Sequence, residues 1–426
     1  MDTIEKYRKY VNTSFVKAVE PVVIDRAMGA TYIDPDGVEY LDVFSGIAVV
    51  NSGHGNREVI EAAKGQLDKL VHCCSYIYHQ KPIADLAEKL AQITPGKLQK
   101  TFFGNSGAEA IEGALRLAKQ YTNKFEFISL THSFHGRSLA TLSITGNAGR
   151  KKGGGPYIPG VAFAPAPYTY RCPFHQKDPK MTGKLCADAV EDVIRYQTSD
   201  RVAAFVVEPV LGEGGIIVPP KEYFEELVPI LKKHGIVLLA DEVQSGFCRT
   251  GRMFASEHYG LEPEIMTVAK GIANGLPLSG FIAEPEVADS FTPGDHLSTF
   301  GGNPVSCAAA LANIAFMERE KLAQAAARKG ERVMEKLRGL SSRKVKIGEV
   351  RGLGLMIGME LVKDLESKEP AAEEAAAVRR LSRERKVLIG VGGSLGNIVR
   401  VQPPLTITDD ELDRVVEVLQ ESLNTL

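Results

Sequence analysis

The sequence predicts an α/β fold with a mainly parallel sheet, followed by a smaller α+β unit. From about residue 55 to 310, short apolar runs alternate with amphipathic helical patterns, the order expected when helices cover both faces of a parallel sheet. Several runs are apolar without interruption, as in strands buried on both faces. After about residue 310 this alternation stops, and helical patterns surround one alternating strand. The change indicates a second unit.

The first segment contains a predicted β-hairpin. Residues 30–33 and 38–43 alternate apolar with polar side chains on either side of an Asp-Pro-Asp-Gly turn. Proline and the Asp-Gly pair supply the backbone angles that a tight turn needs. We therefore assign residues 1–54 to an N-terminal segment that forms part of the smaller unit.

The remaining strands are predicted from short apolar runs, and the remaining helices from amphipathic patterns. The predicted strands of the sheet lie at residues 100–103, 126–130, 203–207 and 237–240. Helices lie between them, for example at residues 109–120 and 223–234. The last segment is predicted to hold a long helix, a strand at 352–361, a helix near 370–386 and a final helix that opens with a capping box at 408–411. We expect a large unit of residues 55–310 and a small C-terminal unit of residues 311–426.

Composition narrows the possible partners. The 426 residues are 44% hydrophobic and 24% charged, ordinary values for a globular protein. The formal net charge of −2 gives no basis for binding nucleic acid or an anionic membrane. No apolar run is long enough to cross a bilayer, and the first residues lack the apolar core of a signal peptide. We expect a cytoplasmic protein with small-molecule substrates.

The six cysteines are scattered along the chain, so we expect free thiols. Cys172, His175 and Cys186 form the one arrangement that could bind zinc. This set lacks a second paired ligand, and its spacing fits no common zinc module. We predict a loop insertion and no metal.

The strongest functional signal is the pair Asp241 and Lys270. Asp241 ends the apolar run 236–240, and Lys270 follows a second run, 265–269. Open α/β sheets bind ligands at the carboxyl ends of such strands. A desolvated lysine can form a Schiff base with a carbonyl cofactor, and an aspartate can hold a pyridine nitrogen protonated. The pair predicts a pyridoxal phosphate (PLP) site; a surface lysine and a strand-end acid are the alternative.

A phosphate-binding helix start is predicted near Ser106. Ser106 and Glu109 have capping-box spacing, so a helix should begin at Gly107. The free amides of Gly107 and Ala108 would then face outward, and helix N-termini bind phosphate through such amides. The position after an apolar strand and before an amphipathic helix supports this interpretation.

Two further strand ends carry functional side chains. After the strand at 126–130, Phe134 could lie on a cofactor ring and Arg137 could bind a substrate carboxylate. Glu208 and Glu213 follow the strand at 203–207, within a glycine-rich turn. Phe134 in the core and Arg137 in a surface ion pair are the ordinary alternatives.

These motifs in this order resemble the class III (ω-type) aminotransferases, especially 4-aminobutyrate and alanine–glyoxylate-like members. The matching runs are NSGAEA at 105–110, FHGR at 134–137, ADEVQSGFCRTG at 240–251, AKG at 269–271, STFGGNP at 298–304 and GLGLM at 352–356. The resemblance extends from about residue 15 to the C-terminus. It implies the PLP fold type I and a homodimer, or a dimer of dimers, with shared active sites.

The resemblance also implies how the cofactor is held. Lys270 would carry PLP as a Schiff base and move a proton on the substrate, and Asp241 would pair with the pyridinium nitrogen. Gln244 would approach the ring hydroxyl, and Thr299 would reach the phosphate of the partner subunit's cofactor. The other expected cofactor contacts are Ser106, Gly107, Ala108, Phe134, His135, Glu208 and Val243.

The expected substrate pocket likewise comes from the resemblance. Arg137 would bind a distal carboxylate, and Ile47 and Tyr76 would line the pocket. Glu213 and Arg400 would form a gate, paired when an ω-amine is bound and parted when Arg400 binds the α-carboxylate of a keto acid. This set favours transamination between an amino acid or ω-amine and 2-oxoglutarate, pyruvate or glyoxylate.

Two other functions are alternatives to transamination. A racemase or epimerase on the same scaffold would use the same lysine to reprotonate the α-carbon without consuming a keto acid. A nicotinamide-dependent oxidoreductase would need a G-x-G-x-x-G fingerprint after the first strand with an acid about 20 residues on. The sequence has no such fingerprint in that context.

Overall fold

A computed structural model describes residues 2–12 and 19–426 of the chain, and a seven-stranded sheet lies at its centre. The strands are β1 (Arg26–Met28), β2 (Thr31–Ile33), β3 (Glu39–Asp42), β4 (Lys100–Gly104), β5 (Glu126–Leu130), β6 (Val161–Ala164), β7 (Val202–Val207), β8 (Val237–Asp241), β9 (Ile265–Val268), β10 (Ser279–Ala283), β11 (Lys346–Leu353), β12 (Met356–Val362), β13 (Val387–Leu388), β14 (Gly390–Gly392) and β15 (Ile398–Val401).

The helices fill the intervals between the strands. They are α1 (Thr3–Tyr10), α2 (Ser45–Ala48), α3 (Arg57–Leu67), α4 (Lys81–Ile93), α5 (Gly107–Thr122), α6 (Leu139–Ser143), α7 (Ala148–Lys151), α8 (Pro179–Gln197), α9 (Lys221–His234), α10 (Pro285–Ala288), α11 (Pro304–Arg319), α12 (Leu322–Arg338), α13 (Ala372–Glu384) and α14 (Asp409–Thr425).

The central sheet has the order β4-β10-β9-β8-β7-β5-β6. Every neighbouring pair from β9 to β6 is parallel, and β10 runs antiparallel to both of its neighbours. The predicted mainly parallel sheet is therefore confirmed. The four strands predicted for it from the sequence match β4, β5, β7 and β8 to within one residue at each end.

Alternation along β8 explains why the central strands are apolar without interruption. Val237 and Leu239 pack into one hydrophobic cluster of buried residues, and Leu238 between them packs into another. Successive side chains of a strand point to opposite faces, so helices on both faces leave no position for a polar residue. Asp241, the polar residue that ends β8, lies at the carboxyl edge of the sheet.

The N-terminal hairpin is confirmed as β2 and β3, and its sheet is completed by the C-terminal part of the chain. The sheet has the order β1-β2-β3-β13, with β13 parallel to β3. A third, antiparallel sheet has the order β11-β12-β15-β14. This pairing supports the assignment of the first 54 residues to the small unit, which remains a proposal.

Two predictions for the last third of the chain were wrong in detail. The single strand predicted at 352–361 is a hairpin, because the chain reverses at Gly354 between β11 and β12. Gly354 has a φ of +52°, and a Cβ there would lie 2.5 Å from the carbonyl carbon of Thr250. The single long helix is two helices, α11 and α12, separated where Lys321 adopts a left-handed φ of 52°. The capping box that opens α14 is confirmed.

The short helix α2 has a left-handed backbone. All four residues of α2 have positive φ, including Ile47 at 71°, which is a rare conformation for a β-branched residue. Such backbone costs about 1–3 kcal/mol per residue and persists only where its surroundings hold it. Here Asp42 Oδ1 accepts hydrogen bonds from the amides of Phe44 and Ser45, each at 2.8 Å.

Arg249 fixes this turn to the rest of the fold. Its fully buried guanidinium donates to Ser45 Oγ at 3.2 Å and to Asn51 Oδ1 at 2.6 Å. It also donates to the carbonyls of Leu355 and Pro403, at 3.1 and 2.6 Å. One side chain in the loop after β8 thus connects residues of the N-terminal segment to residues of the C-terminal part of the chain.

Within residues 2–12 and 19–426, no helix is long and apolar enough to span a membrane. The six cysteines are all free. The same part of the chain holds no group of three His, Cys, Asp or Glu side chains arranged to bind a metal ion.

Candidate active site

A cavity of about 330 Å³ opens at the carboxyl ends of β7, β8 and β9, beside the start of α5. This is the edge at which parallel sheets place their ligands. It brings together most of the residues that the sequence assigned to the cofactor: Ser106, Gly107, Ala108, Phe134, His135, Glu208, Asp241, Val243, Gln244 and Lys270.

Lys270 is the second residue after the end of β9 and lines the cavity. Burial lowers the pKa of its amine, and Asp241 opposes that shift while Arg400 adds to it. A desolvated amine of this kind reaches its neutral, nucleophilic form more readily than a surface lysine does. The backbone at Lys270 has a φ of 47°, in the left-handed region.

Asp241 is held in one orientation by His135. The two side chains meet at 2.7 Å between Oδ2 and Nδ1, and the other ring nitrogen of His135 lies 3.1 Å from Ser129 Oγ. Asp241 Oδ1 accepts a hydrogen bond from the Val243 amide at 3.0 Å. Both carboxylate oxygens are thus positioned by the protein at the end of a buried strand.

The start of α5 provides an anion site. Helix α5 begins at Gly107 as predicted, and Ser106 Oγ accepts from the Glu109 amide at 3.2 Å. In a capping box the Glu109 carboxylate would accept from the Ser106 amide. Here Glu109 Oε2 instead accepts from the amide of Asn105 at 2.8 Å, so the expected capping box is not complete. Within the described residues, the amides of Gly107 and Ala108 find no acceptor and face the cavity.

Glu208 fixes two loops around the cavity. Its carboxylate accepts from the amide of Phe134 at 2.9 Å and from the amide of Gly212 at 2.8 Å. Burial raises the pKa of Glu208 to about 7, and Asp241 adds to the shift, while His135 opposes it. The glutamate therefore couples the loop that carries Phe134 to the turn that carries Glu213.

Glu213 and Arg400, the two residues that the resemblance pairs, form an ion pair. Arg400 Nη1 lies 2.9 Å from Glu213 Oε2, and Arg400 Nη2 donates to Gln244 Oε1 at 2.7 Å. Burial lowers the pKa of Arg400, and Glu213 opposes the shift. The same Gln244 oxygen also accepts from Gln402 Nε2 at 3.1 Å, so Gln244 connects the cavity lining to Arg400 and Gln402.

The other predicted residues lie outside the lining of this cavity. Arg137 is exposed, with its guanidinium carbon 5.7 Å from the centre of the Phe134 ring. Tyr76 donates to the Phe103 carbonyl at 2.7 Å, Thr299 is exposed, and Ile47 is half-buried in the left-handed turn. The single chain alone does not bring these four residues together.

The sequence missed several residues of the site. Arg150, on the short helix α7, also pairs with Glu213, and Gln402 joins the Gln244 network. The segment 275–278 forms one wall of the cavity. The only available signal for Arg150 was its place in a basic, glycine-rich stretch, which is typical of surface loops.

The cavity fits a flat, phosphorylated aldehyde such as PLP. The amides of Gly107 and Ala108 lie at one part of its wall. The Asp241 carboxylate and the Lys270 amine lie at other parts. A Cβ added to Gly107 would lie 2.9 Å from Val243 Cγ1, and one added to Gly136 would lie 2.9 Å from Ala108 Cβ. Glycine at these two positions therefore keeps the cradle open.

Comparison with known proteins places this site in a family. The model of the class-III aminotransferases matches residues 14–423. The chain is 39% identical to an acetylornithine aminotransferase of Methanothermobacter thermautotrophicus over 100% of this chain and 99% of that protein. It is 38% identical to a probable 4-aminobutyrate aminotransferase of Bacillus subtilis (93% and 91% covered) and to a leucine/methionine racemase of Thermococcus litoralis (99% and 95%).

Solved structures agree with the sequence comparison. An amine transaminase from an uncultivated Pseudomonas species, crystallised in its PLP-bound form, superposes with a TM-score of 0.91. It is 33% identical, over 97% of this chain and 98% of that one. The protein therefore has the PLP fold type I and belongs to the class-III aminotransferases, which are PLP-dependent enzymes.

Proposed function

We propose that this enzyme transfers the amino group of an ω-amine or amino acid, such as 4-aminobutyrate, β-alanine or alanine, to 2-oxoglutarate, pyruvate or glyoxylate. The observation that carries the proposal is the Glu213–Arg400 pair, 2.9 Å apart at the site that holds Lys270. A buried arginine whose partner can leave it is suited to binding a carboxylate in one half of the reaction only.

The chemistry divides between the cofactor and the chain. PLP, when bound, supplies the carbonyl that accepts the amine and withdraws electrons from the reacting carbon. Lys270 Nζ would hold the cofactor through its carbonyl. Once the substrate amine has displaced it, the freed amine would take the proton from the carbon that bears the amino group and deliver it to the cofactor carbon bonded to that nitrogen. His135 would keep Asp241 turned toward the pyridine nitrogen, and the amides of Gly107 and Ala108 would hold the phosphate.

A first experiment tests transamination itself. The purified holoenzyme, given an amino donor without any acceptor, should lose its visible absorption as the cofactor becomes the amine form. Lys270→Ala should reduce turnover by several orders of magnitude, because both the covalent link and the proton carrier are lost. Arg252→Ala, a change at an exposed cation outside the cavity lining, is the control.

The same experiment separates the enzyme from a racemase. One pure enantiomer of the donor is incubated without keto acid. Inversion of the donor with an unchanged cofactor spectrum would contradict transamination and favour the function named for the Thermococcus litoralis relative.

The gate is proposed to let one pocket serve two kinds of substrate. An ω-amine brings no carboxylate to Arg400, so an unpaired Arg400 would remain a buried charge, which costs several kcal/mol. Glu213 neutralises Arg400 in that half-reaction. In the other half-reaction Glu213 moves away, and Arg400 binds the α-carboxylate of the keto acid.

We expect opposite effects from substitutions at the two gate residues. Glu213→Ala should slow the ω-amine half-reaction more than the keto-acid half-reaction. Arg400→Ala should raise the KM for keto acid by about ten-fold or more, since hydrogen bonds to charged groups contribute about 1.5–3 kcal/mol. Single-turnover rates of each half-reaction measure this. Equal, small effects of both substitutions on both halves would show a static ion pair and no gate.

We further propose a homodimer. Thr299 is exposed beside Leu297 and Phe300, whose exposed fractions are 65% and 62%, and Ile77 and Tyr78 are exposed at 68% and 62%. Large apolar side chains exposed near one another are typical of an interface. The proposal would also explain why Thr299, Tyr76 and Arg137 lie outside the cavity of a single chain.

The dimer should be the active species. An obligate interface of this kind buries more than about 2,000 Å². Sedimentation at assay concentration should give a dimer, or a dimer of dimers, and Thr299→Ala should weaken PLP binding. A fully active monomer would contradict the proposal.

A cytoplasmic location is also proposed. Its support is the set of six free thiols, because oxidising compartments favour disulfides. Cell fractionation tests it, and recovery of the protein from an exported fraction would overturn it.

A further inference from the structure

Glu213 is held by two arginines. Arg400, on β15, reaches Glu213 Oε2 at 2.9 Å, and Arg150, on α7, binds the other oxygen, Oε1. The chain therefore places two guanidinium groups on one carboxylate. Burial raises the pKa of Glu213, but Arg400 and Arg150 outweigh it, so the carboxylate is held below its ordinary value.

The two arginines differ in their surroundings. The Arg400 side chain is 2% exposed, donates to Gln244 at 2.7 Å and has its guanidinium carbon 5.3 Å from the centre of the Phe44 ring. The Arg150 side chain is 26% exposed and lies toward solvent. Glu213 thus bridges an inner arginine and an outer one.

The outer arginine has an anchored backbone. The Asn147 amide donates to the Ser133 carbonyl at 3.0 Å, and the Gly146 amide donates to Ser133 Oγ at 3.0 Å. Lys151 Nζ donates to the Ser143 carbonyl at 3.0 Å. These bonds attach α7 to the loop that carries Phe134 and His135, so Arg150 is placed by the active-site scaffold.

The charges present when a keto acid is bound indicate a function for Arg150. When Arg400 turns to a substrate carboxylate, Glu213 loses its inner partner while a second negative charge enters the pocket. Without another cation, Glu213 would remain unpaired beside that carboxylate, which is unfavourable in a buried site. With Arg150 in place, the four charges form two balanced pairs, Arg400 with the substrate and Arg150 with Glu213.

We propose that Arg150 is the open-state anchor of the gate: it retains Glu213 when Arg400 binds the α-carboxylate of the keto acid. Arg150 is a positioning residue, because it acts on the substrate through Glu213. The inference rests on the gate proposed above and adds to it a third member.

The expected kinetic signature is confined to one half-reaction. Arg150→Gln should raise the KM for 2-oxoglutarate and for pyruvate alike by about ten-fold, the scale of one charged hydrogen bond. The ω-amine half-reaction should change by less than about two-fold, because Arg400 still pairs with Glu213 there. Arg150→Lys should restore most of the keto-acid affinity, and Lys152→Gln, an exposed cation on the same stretch, is the matched control.

A double substitution separates anchoring from direct contact with substrate. In a Glu213→Gln background there is no carboxylate to retain, so Arg150→Gln should add no further rise in the keto-acid KM. A rise that persists in that background, or that occurs with 2-oxoglutarate and not with pyruvate, would mean that Arg150 binds the substrate itself and would overturn the proposal.

Binding without turnover provides an independent readout. Glutarate, an unreactive dicarboxylate, is titrated against the holoenzyme by calorimetry, and its Kd should rise about ten-fold in Arg150→Gln and recover in Arg150→Lys. Unchanged glutarate affinity and unchanged keto-acid KM in Arg150→Gln would overturn the anchor. If Arg400→Ala still raises the keto-acid KM in the same assays, the gate stands and only the anchor fails. If it does not, both fail.

Discussion

The structure depends on the balance of buried charge at the carboxyl edge of the central sheet. Lys270 and Arg400 lie there among Asp241, Glu208 and Glu213, in a region where desolvation shifts the pKa of most of these groups. No single ion could be kept there alone, because an uncompensated buried charge is costly. Each cation therefore has a carboxylate within its electrostatic reach, Asp241 for Lys270 and Glu213 for Arg400.

Side chains that bind backbone groups hold the loops around these charges in place. Glu208 joins two loops because it accepts from the amides of Phe134 and Gly212. Arg351 donates to the carbonyls of Gly215 and Ile216, in the turn that carries Glu213, at 2.6 and 3.0 Å. Arg249 plays the same part for the left-handed turn at α2.

The sequence predicted what depends on local pattern and missed what depends on distant contacts. Parallel strands that are buried on both faces have uninterrupted apolar sequences, so β8 and the position of Asp241 at its end were predictable. The reversal at Gly354 was missed, because its cause is a close approach to the backbone of Thr250. Arg150 was missed for a similar reason, since its partner Glu213 lies 63 residues away and no periodicity relates them. The proposed division of the chain into residues 1–54, 55–310 and 311–426 is supported by the pairing of β3 with β13, which joins the first segment to the last. No sequence pattern predicts that pairing.

The most direct test of the buried charge balance is the pKa of Lys270 itself. It can be measured from the pH dependence of the rate at which the apoenzyme captures PLP into its visible-absorbing form, in the parent, Arg400→Gln and Asp241→Asn chains. Burial should place the pKa below that of an ordinary lysine. Removing Arg400 should raise it, because a neighbouring cation is lost, and removing Asp241 should lower it further, because a neighbouring anion is lost. An ordinary lysine pKa that is the same in all three chains would contradict the account.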